Sequence, residues 1–321
     1  MIKEVIIMIA VGIDVGGTSI KGATIRNNGE VLDRFSMPMD KFASPEVTIG
    51  KLCDLVNETL SSHSYNEKIV GIGIGIPGSF NKESGVIVNC PNLPTWGGFD
   101  LKGFMENKCH LYVKMVNDAD AAALAEAKFG VGKEYNYVLM ITLGTGVGGG
   151  IVINKNLYNG NLGMGAELGH MVIELDGKEC GCGRKGCFEA YASATALNRD
   201  TQEAMDAHPE SLLHEVVKEL GGLDARVPFI AEKRGDKVAA EVVRNYIKFL
   251  SEGLLNYCNI LRPNIIVLSG GVANEGENLL GRVREYMKLH NYGMKKMPEV
   301  IIRQATLGYD AGKIGAAALY F

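Results

Sequence analysis

The sequence has no apolar run long enough to cross a bilayer, which takes about 20 predominantly apolar residues. A helical membrane protein is therefore not expected. The leading stretch, Met1 to Asp14, resembles an export signal only superficially. Its apolar run is short, Glu4 stands where a basic region belongs, and it passes into a glycine-rich motif without a cleavage site. It reads as a buried strand, with Met8 as a second usable start. Charge of one sign is also scarce: 33 Lys and Arg stand against 37 Asp and Glu, for a formal net charge of −4. That balance gives no electrostatic case for a nucleic-acid partner. Cysteine is too unevenly placed for a secreted disulfide framework. Of seven, Cys53, Cys90, Cys109 and Cys258 are scattered and three crowd into one short segment. That pattern suits a reducing cytoplasm.

What is present is ordinary in bulk and specific in detail. Hydrophobic residues make up 46% and charged residues 22% of the chain, the balance of a globular protein. At 321 residues the chain exceeds what one core usually supports, so two lobes are expected. The crowded segment carries His170, Cys180, Cys182 and Cys187, with glycines between the cysteines. Three thiolates and one imidazole complete a tetrahedral zinc shell and leave no open position for a reactive water. The reading is a structural zinc; the alternative is a disulfide or a set of packed thiols. Two acids, Glu167 and Glu189, flank the segment. A metal-bound histidine needs a partner for its second ring nitrogen. A ligand hydroxyl there would turn the segment into a polar wall for a polyhydroxylated molecule. Against this, an isolated glutamate is commonly a solvated surface charge.

Two glycine-rich turns organise the rest. The strand 11–13 breaks into Asp14, Gly16, Gly17, Thr18 and Lys21 before a second strand at 23–25. The same layout recurs at 141–153, with Gly144, Thr145 and Gly146 in the turn. Backbone N–H groups in such hairpins cradle phosphate oxygens, and the repetition points to two similar halves. Opposed across a cleft, the two turns would hold a triphosphate. Helices are predicted at 45–62, 119–129 and from Asp236 to about 261, with a mostly helical stretch at 191–220. A strand with apolar–glycine alternation at 69–76 needs close backbone approach on its glycine side. Asn92 lies in a proline-rich loop with the single tryptophan, Trp96. Asn117 and Asp118 stand at a strand-to-helix junction. Capping explains both; a carboxylate at such a junction can also point into a cleft, held ionised by the helix N-terminus. A strand at 263–268 opens into Ser269, Gly270 and Gly271, where a flat ring such as adenine lies against bare backbone. A small-residue helix at 309–319 closes the chain.

In this order the motifs resemble the ROK family of sugar kinases and sugar-responsive repressors, over nearly the whole chain. The cysteine signature followed by Glu189 is the most specific part. The resemblance implies an α/β, two-lobed actin-like ATPase fold (a duplicated RNase H-like unit) with an interlobe cleft. The lobes would be 1–117 plus about 305–321, and 118–304 with the zinc-binding segment 167–189. It implies transfer of phosphate from ATP, as its Mg²⁺ complex, to a hexose hydroxyl. Glucose is the first expectation, followed by N-acetylmannosamine and fructose, with polyphosphate as an alternative donor. Asp118 matches the catalytic base. Gly78, Asn92, Asn117, Glu167, His170 and Glu189 match sugar-binding positions. Asp14, Gly16, Gly17, Thr18, Lys21, Gly144, Thr145, Gly146, Gly270 and Gly271 match the nucleotide site. Family members form homodimers or homotetramers. The repressors carry a helix-turn-helix before the first phosphate motif, for which this chain leaves no room, so no DNA partner is expected.

Overall fold

The computed structural model describes residues 7–90, 92–293 and 298–321. In chain order the strands are β1 (Met8–Val15), β2 (Ser19–Arg26), β3 (Val31–Pro38), β4 (Lys68–Ile76), β5 (Ser79–Phe80) and β6 (Ile87–Asn89). They continue with β7 (Val113–Asn117), β8 (Tyr137–Leu143), β9 (Val147–Ile153), β10 (Asn156–Tyr158), β11 (Ile265–Ser269) and β12 (Ile301–Gln304). The leading apolar run forms a strand from Met8 onward. The part of that reading that falls on 1–6 lies outside the described residues.

Ten of these strands build two sheets of one topology. The first has the order β3-β2-β1-β4-β7 and the second β10-β9-β8-β11-β12. In the first, β1, β2 and β3 form an antiparallel meander, and β4 and β7 then add in parallel. In the second, β10 pairs antiparallel with β9, while β11 adds parallel to β8 and β12 parallel to β11. The repeat seen in the glycine turns thus extends to whole sheets. Central strands covered on both faces carry unbroken apolar runs, and Ile9, Ala10, Val11 and Ile13 of β1 are fully buried.

The chain divides into two compact units, residues 1–134, 150–166 and 306–321, and residues 135–149 and 167–305. The boundary lies beyond 117, because the helix Asp118–Lys128 joins the first unit. The closing helix Ala311–Ala317 presses on it so tightly that a Cβ at Gly315 would lie 1.7 Å from the carbonyl oxygen of Ala121. That same closing helix accounts for Gly73 of β4, where a Cβ would lie 1.8 Å from the Ala316 carbonyl oxygen, while a Cβ at Gly71 would meet the Tyr320 ring at 2.4 Å. The helix Pro45–Ser62 starts as its sequence predicts, with Ser44 accepting from the Val47 N–H and proline in the first turn. The helix Lys237–Leu261 is capped by Asp236, which accepts from the Ala239 N–H at 2.7 Å. The helical stretch at 191–220 resolves into Glu189–Ala192, Ala194–Ala207 and Leu213–Leu220.

Candidate active site

In the first unit, β7 ends at Asn117 and the next residue begins a helix. Asn117 Oδ1 accepts from the Ala119 N–H at 2.9 Å, which makes it the cap, and its Nδ2 donates to the Gly78 carbonyl at 3.4 Å. Gly78 has φ +128°, and a Cβ there would lie 2.3 Å from the Asn89 carbonyl oxygen, so only glycine fits the approach. Asp118 Oδ1 also accepts from the Ala119 N–H at 2.9 Å. Its carboxylate is open to solvent yet crowded by protein on most sides. That crowding holds its pKa above the ordinary aspartate value, the negative charge of Asp14 adds to the rise, and the Ala119 N–H opposes it. Asp14, near the end of β1, is raised as well, by burial first, with Lys21 and Lys313 pulling the other way. Lys21 faces Asp14 across the β1–β2 ladder, and its ammonium sits 5.7 Å from the Tyr309 ring centroid. Asn92 is exposed in the turn after Cys90.

Each glycine turn closes on a backbone hydrogen bond, the first over three residues and the second over two. The Gly16 N–H donates to the Ser19 carbonyl at 3.0 Å, and the Gly144 N–H to the Gly146 carbonyl at 3.0 Å. Gly17 is half-buried, and Thr18 and Thr145 are exposed. The second turn is fastened by its carbonyls: the Ala194 N–H donates to Gly144 O at 2.8 Å and Thr195 Oγ1 to Thr145 O at 2.7 Å. Gly270, at φ +89°, brings its backbone so near that a Cβ would lie 2.4 Å from the Leu143 carbonyl oxygen. At Gly271 a Cβ would meet nothing within 4 Å, so the backbone there faces open space.

The candidate metal centre lies in the second unit. One ligand atom from each of His170, Cys180, Cys182 and Cys187 falls within 4.8 Å of the others. His170 Nδ1 is 3.6 Å from Cys180 Sγ, and Cys182 Sγ is 3.7 Å from Cys187 Sγ. A tetrahedron with Zn–S bonds of about 2.3 Å has S···S edges near ~3.8 Å and slightly shorter S···N edges, so the donor set fits zinc. Burial pushes the Cys180 thiol up to about 12; a bound cation would reverse that and hold the thiolate. His170 ends the short 3₁₀ turn Leu168–His170, its N–H bonded to the Glu167 carbonyl at 3.1 Å. Glu167 is exposed. With Nδ1 turned to the sulfurs, Nε2 is the nitrogen left for a ligand. Glu189 joins this centre to the second glycine turn, because its Oε2 accepts from the Val147 N–H at 2.9 Å while Oε1 lies 3.6 Å from Cys180 Sγ. That anchoring is more than the solvated charge an isolated glutamate suggests.

Two acids carry no mark in the sequence that singles them out. Glu126 is fully buried and accepts from the N–H groups of Val131, Thr306 and Leu307 and from the Thr306 hydroxyl. Asp120, 8% exposed, accepts from Asn159 Nδ2 at 2.8 Å. Their one visible signal is an acid on the apolar side of an alanine-rich helix.

The ROK family pattern matches residues 10–321. The chain belongs to the ROK family. The glucokinase of Halalkalibacterium halodurans is 38% identical over 312 residues, covering 96% of this chain and 94% of that protein. The glucokinase of Thermotoga maritima is 34% identical over 312 residues, covering 96% of each. Among solved structures, a ROK family glucokinase from Streptomyces griseus, in complex with glucose and AMPPNP, is similar at a TM-score of 0.77 and 32% identity. The match covers 97% of this chain and 98% of that one. With these relatives the chain shares the actin-like ATPase fold, as its duplicated sheets indicate.

Proposed function

We propose that this protein is a glucokinase, which transfers the γ-phosphoryl group of ATP to glucose and releases glucose 6-phosphate and ADP. The likeness to glucokinases over nearly the full chain supports the reaction. The observation that carries the site is Asp118, accessible at a helix start with its pKa raised by crowding and by Asp14. Asp118 accepts the proton of the attacking hydroxyl, and Asn117, fixed by Ala119 and Gly78, holds the strand-to-helix turn that aims it. Positioning and charge neutralisation carry most of the acceleration in phosphoryl transfer. Mg²⁺ bound with ATP would supply that neutralisation. Asp14 would orient it, Lys21, Thr18 and the N–H of Gly17 face the phosphates, and Gly16, whose N–H is taken by the Ser19 carbonyl, shapes the turn. Gly144, Thr145 and Gly146 give the second cradle, and Gly270 and Gly271 the platform for the adenine ring. Glu167, Glu189, Asn92 and the Nε2 of His170 bind sugar hydroxyls.

The zinc, held by His170, Cys180, Cys182 and Cys187, supplies a fixed cross-link. Thiolate ligands of this kind suit a reducing cytoplasm. A homo-oligomer is proposed, with sugar and nucleotide as the only other partners. The deciding experiment is ADP release from ATP across glucose, mannose, fructose, allose and N-acetylmannosamine. Glucose is expected to give the highest kcat/KM. A clear preference for N-acetylmannosamine or fructose would replace it as substrate, and no ADP release with any sugar would end the proposal.

A further inference from the structure

Asp120 comes two residues after the proposed base and faces inward. Its Oδ2 accepts from Asn159 Nδ2 at 2.8 Å, and its Oδ1 would lie 3.1 Å from a Cβ at Gly150. Asn159 is the neck of a closed loop, because the Gly165 N–H donates back to its carbonyl at 2.8 Å. Inside the loop the Met164 N–H donates to Asn161 O at 3.3 Å. Lys82 crosses the same loop. A Cβ at Gly163 would lie 2.2 Å from Lys82 Cε, and Gly163 itself needs φ +73°. Lys82 is exposed, yet the protein around its ammonium lowers its pKa, and Asp120 raises it in part. The loop is thus gripped at its neck by one carboxylate and across its body by one long aliphatic stem.

This grip bears on the backbone just past the neck. Ala166 has φ +65°, a left-handed conformation that disfavours any residue with a Cβ. The next residue is Glu167, where the chain passes from one compact unit into the other. Strained backbone of this kind persists only where its surroundings over-determine it. We infer that Asp120, Asn159 and Lys82 form a latch that holds the strained 166–167 backbone and so sets the affinity for the sugar. They are positioning residues and touch no substrate themselves. The inference rests on the reading that Glu167 binds sugar hydroxyls.

The test separates the latch from the site. Asn159→Ala and Asp120→Ala are each expected to raise the glucose KM about tenfold, as a small misplacement of a binding group does. The ATP KM should stay within about twofold, and the double variant should be little worse than Asp120→Ala, which already breaks the bond to Asn159. Asp120→Asn keeps an acceptor for Asn159 and is expected to recover most of the affinity. Lys82→Met keeps the stem over Gly163 and loses the charge. It should raise the glucose KM less, and it serves if an alanine variant does not fold. Glu167→Gln tests the underlying site. If it raises the glucose KM while the latch variants leave it unchanged, the latch is wrong and the site stands. If Glu167→Gln has no effect on the glucose KM, the sugar-site reading fails and the latch with it. Latch variants that raise both KM values equally while lowering the thermal midpoint also overturn the inference, because that is general loosening.

Discussion

At the scale of single residues, the decisive group is a carboxylate held where its charge is unwelcome. Crowding and the neighbouring Asp14 raise the pKa of Asp118, so the folded protein disfavours its ionised form. Above its folded pKa the ionised group costs stability, and that cost is relieved as pH falls through that pKa. The proposed role of Asp118 as base needs the opposite state, because only the carboxylate accepts a proton. Activity should therefore fall on the acid side through a group titrating above the ordinary aspartate value of about 3.9, which a kcat/KM profile against pH would show. Asp118→Ala is expected to lower kcat by at least about 10²-fold with glucose binding still measurable. Asp118→Asn should lose turnover to the same degree while raising the thermal unfolding midpoint, since it removes the disfavoured charge. Turnover near that of the parent protein would remove Asp118 from its role; a lowered midpoint would mean that its charge stabilises the fold.

Among elements, the packing of the closing helix against the strand-to-helix junction sets the geometry of the first unit. Glu126 ties it together by taking four donors, three of them backbone N–H groups at 131, 306 and 307. Glu126→Ala strands those donors in a buried place at about 1 kcal/mol or more each. A loss of at least about 3 kcal/mol is expected in denaturant unfolding, with Glu126→Gln between it and the parent. Much of this architecture was legible in the sequence where the determinants are local. Ser44 and Asp236 mark helix starts through caps and apolar spacing, and the β4 glycines announce a close approach although they do not say to what. Glu126 was not legible, because its partners lie up to 181 positions away and leave no periodic trace. The Asp120–Asn159 bond spans 39 positions and was invisible for the same reason. The limit at 117 also failed to announce the unit boundary, since the helix after it belongs with a segment nearly two hundred residues later.

For the molecule as a whole, the question is how the proposed zinc centre, with no open coordination position, would bear on chemistry. The four donors were legible because they sit within eighteen residues of sequence, and short spacing survives folding. What the sequence did not announce is the bond from Glu189 to the Val147 N–H, which joins the cysteine segment to the second glycine turn. On the proposed reading, Glu189 would transmit the state of the zinc centre to both proposed binding functions of the second unit. Its helix begins two residues after Cys187, so releasing the cluster frees the carboxylate that fixes the turn, while His170 and its Nε2 lose their orientation. Full removal of the metal by a strong chelator is accordingly expected to raise the KM for ATP as well as for glucose, by about tenfold each, the lower end for disturbing such a shell. Elemental analysis should find one zinc per chain beforehand. Cys187→Ser should reproduce both effects without chelator. The contrast with the latch makes the prediction specific, because Asn159→Ala is expected to move the glucose constant alone. A protein free of zinc as purified, with both constants unchanged by chelator, would show that the cluster is a set of packed thiols and that Glu189 needs no metal to hold the turn.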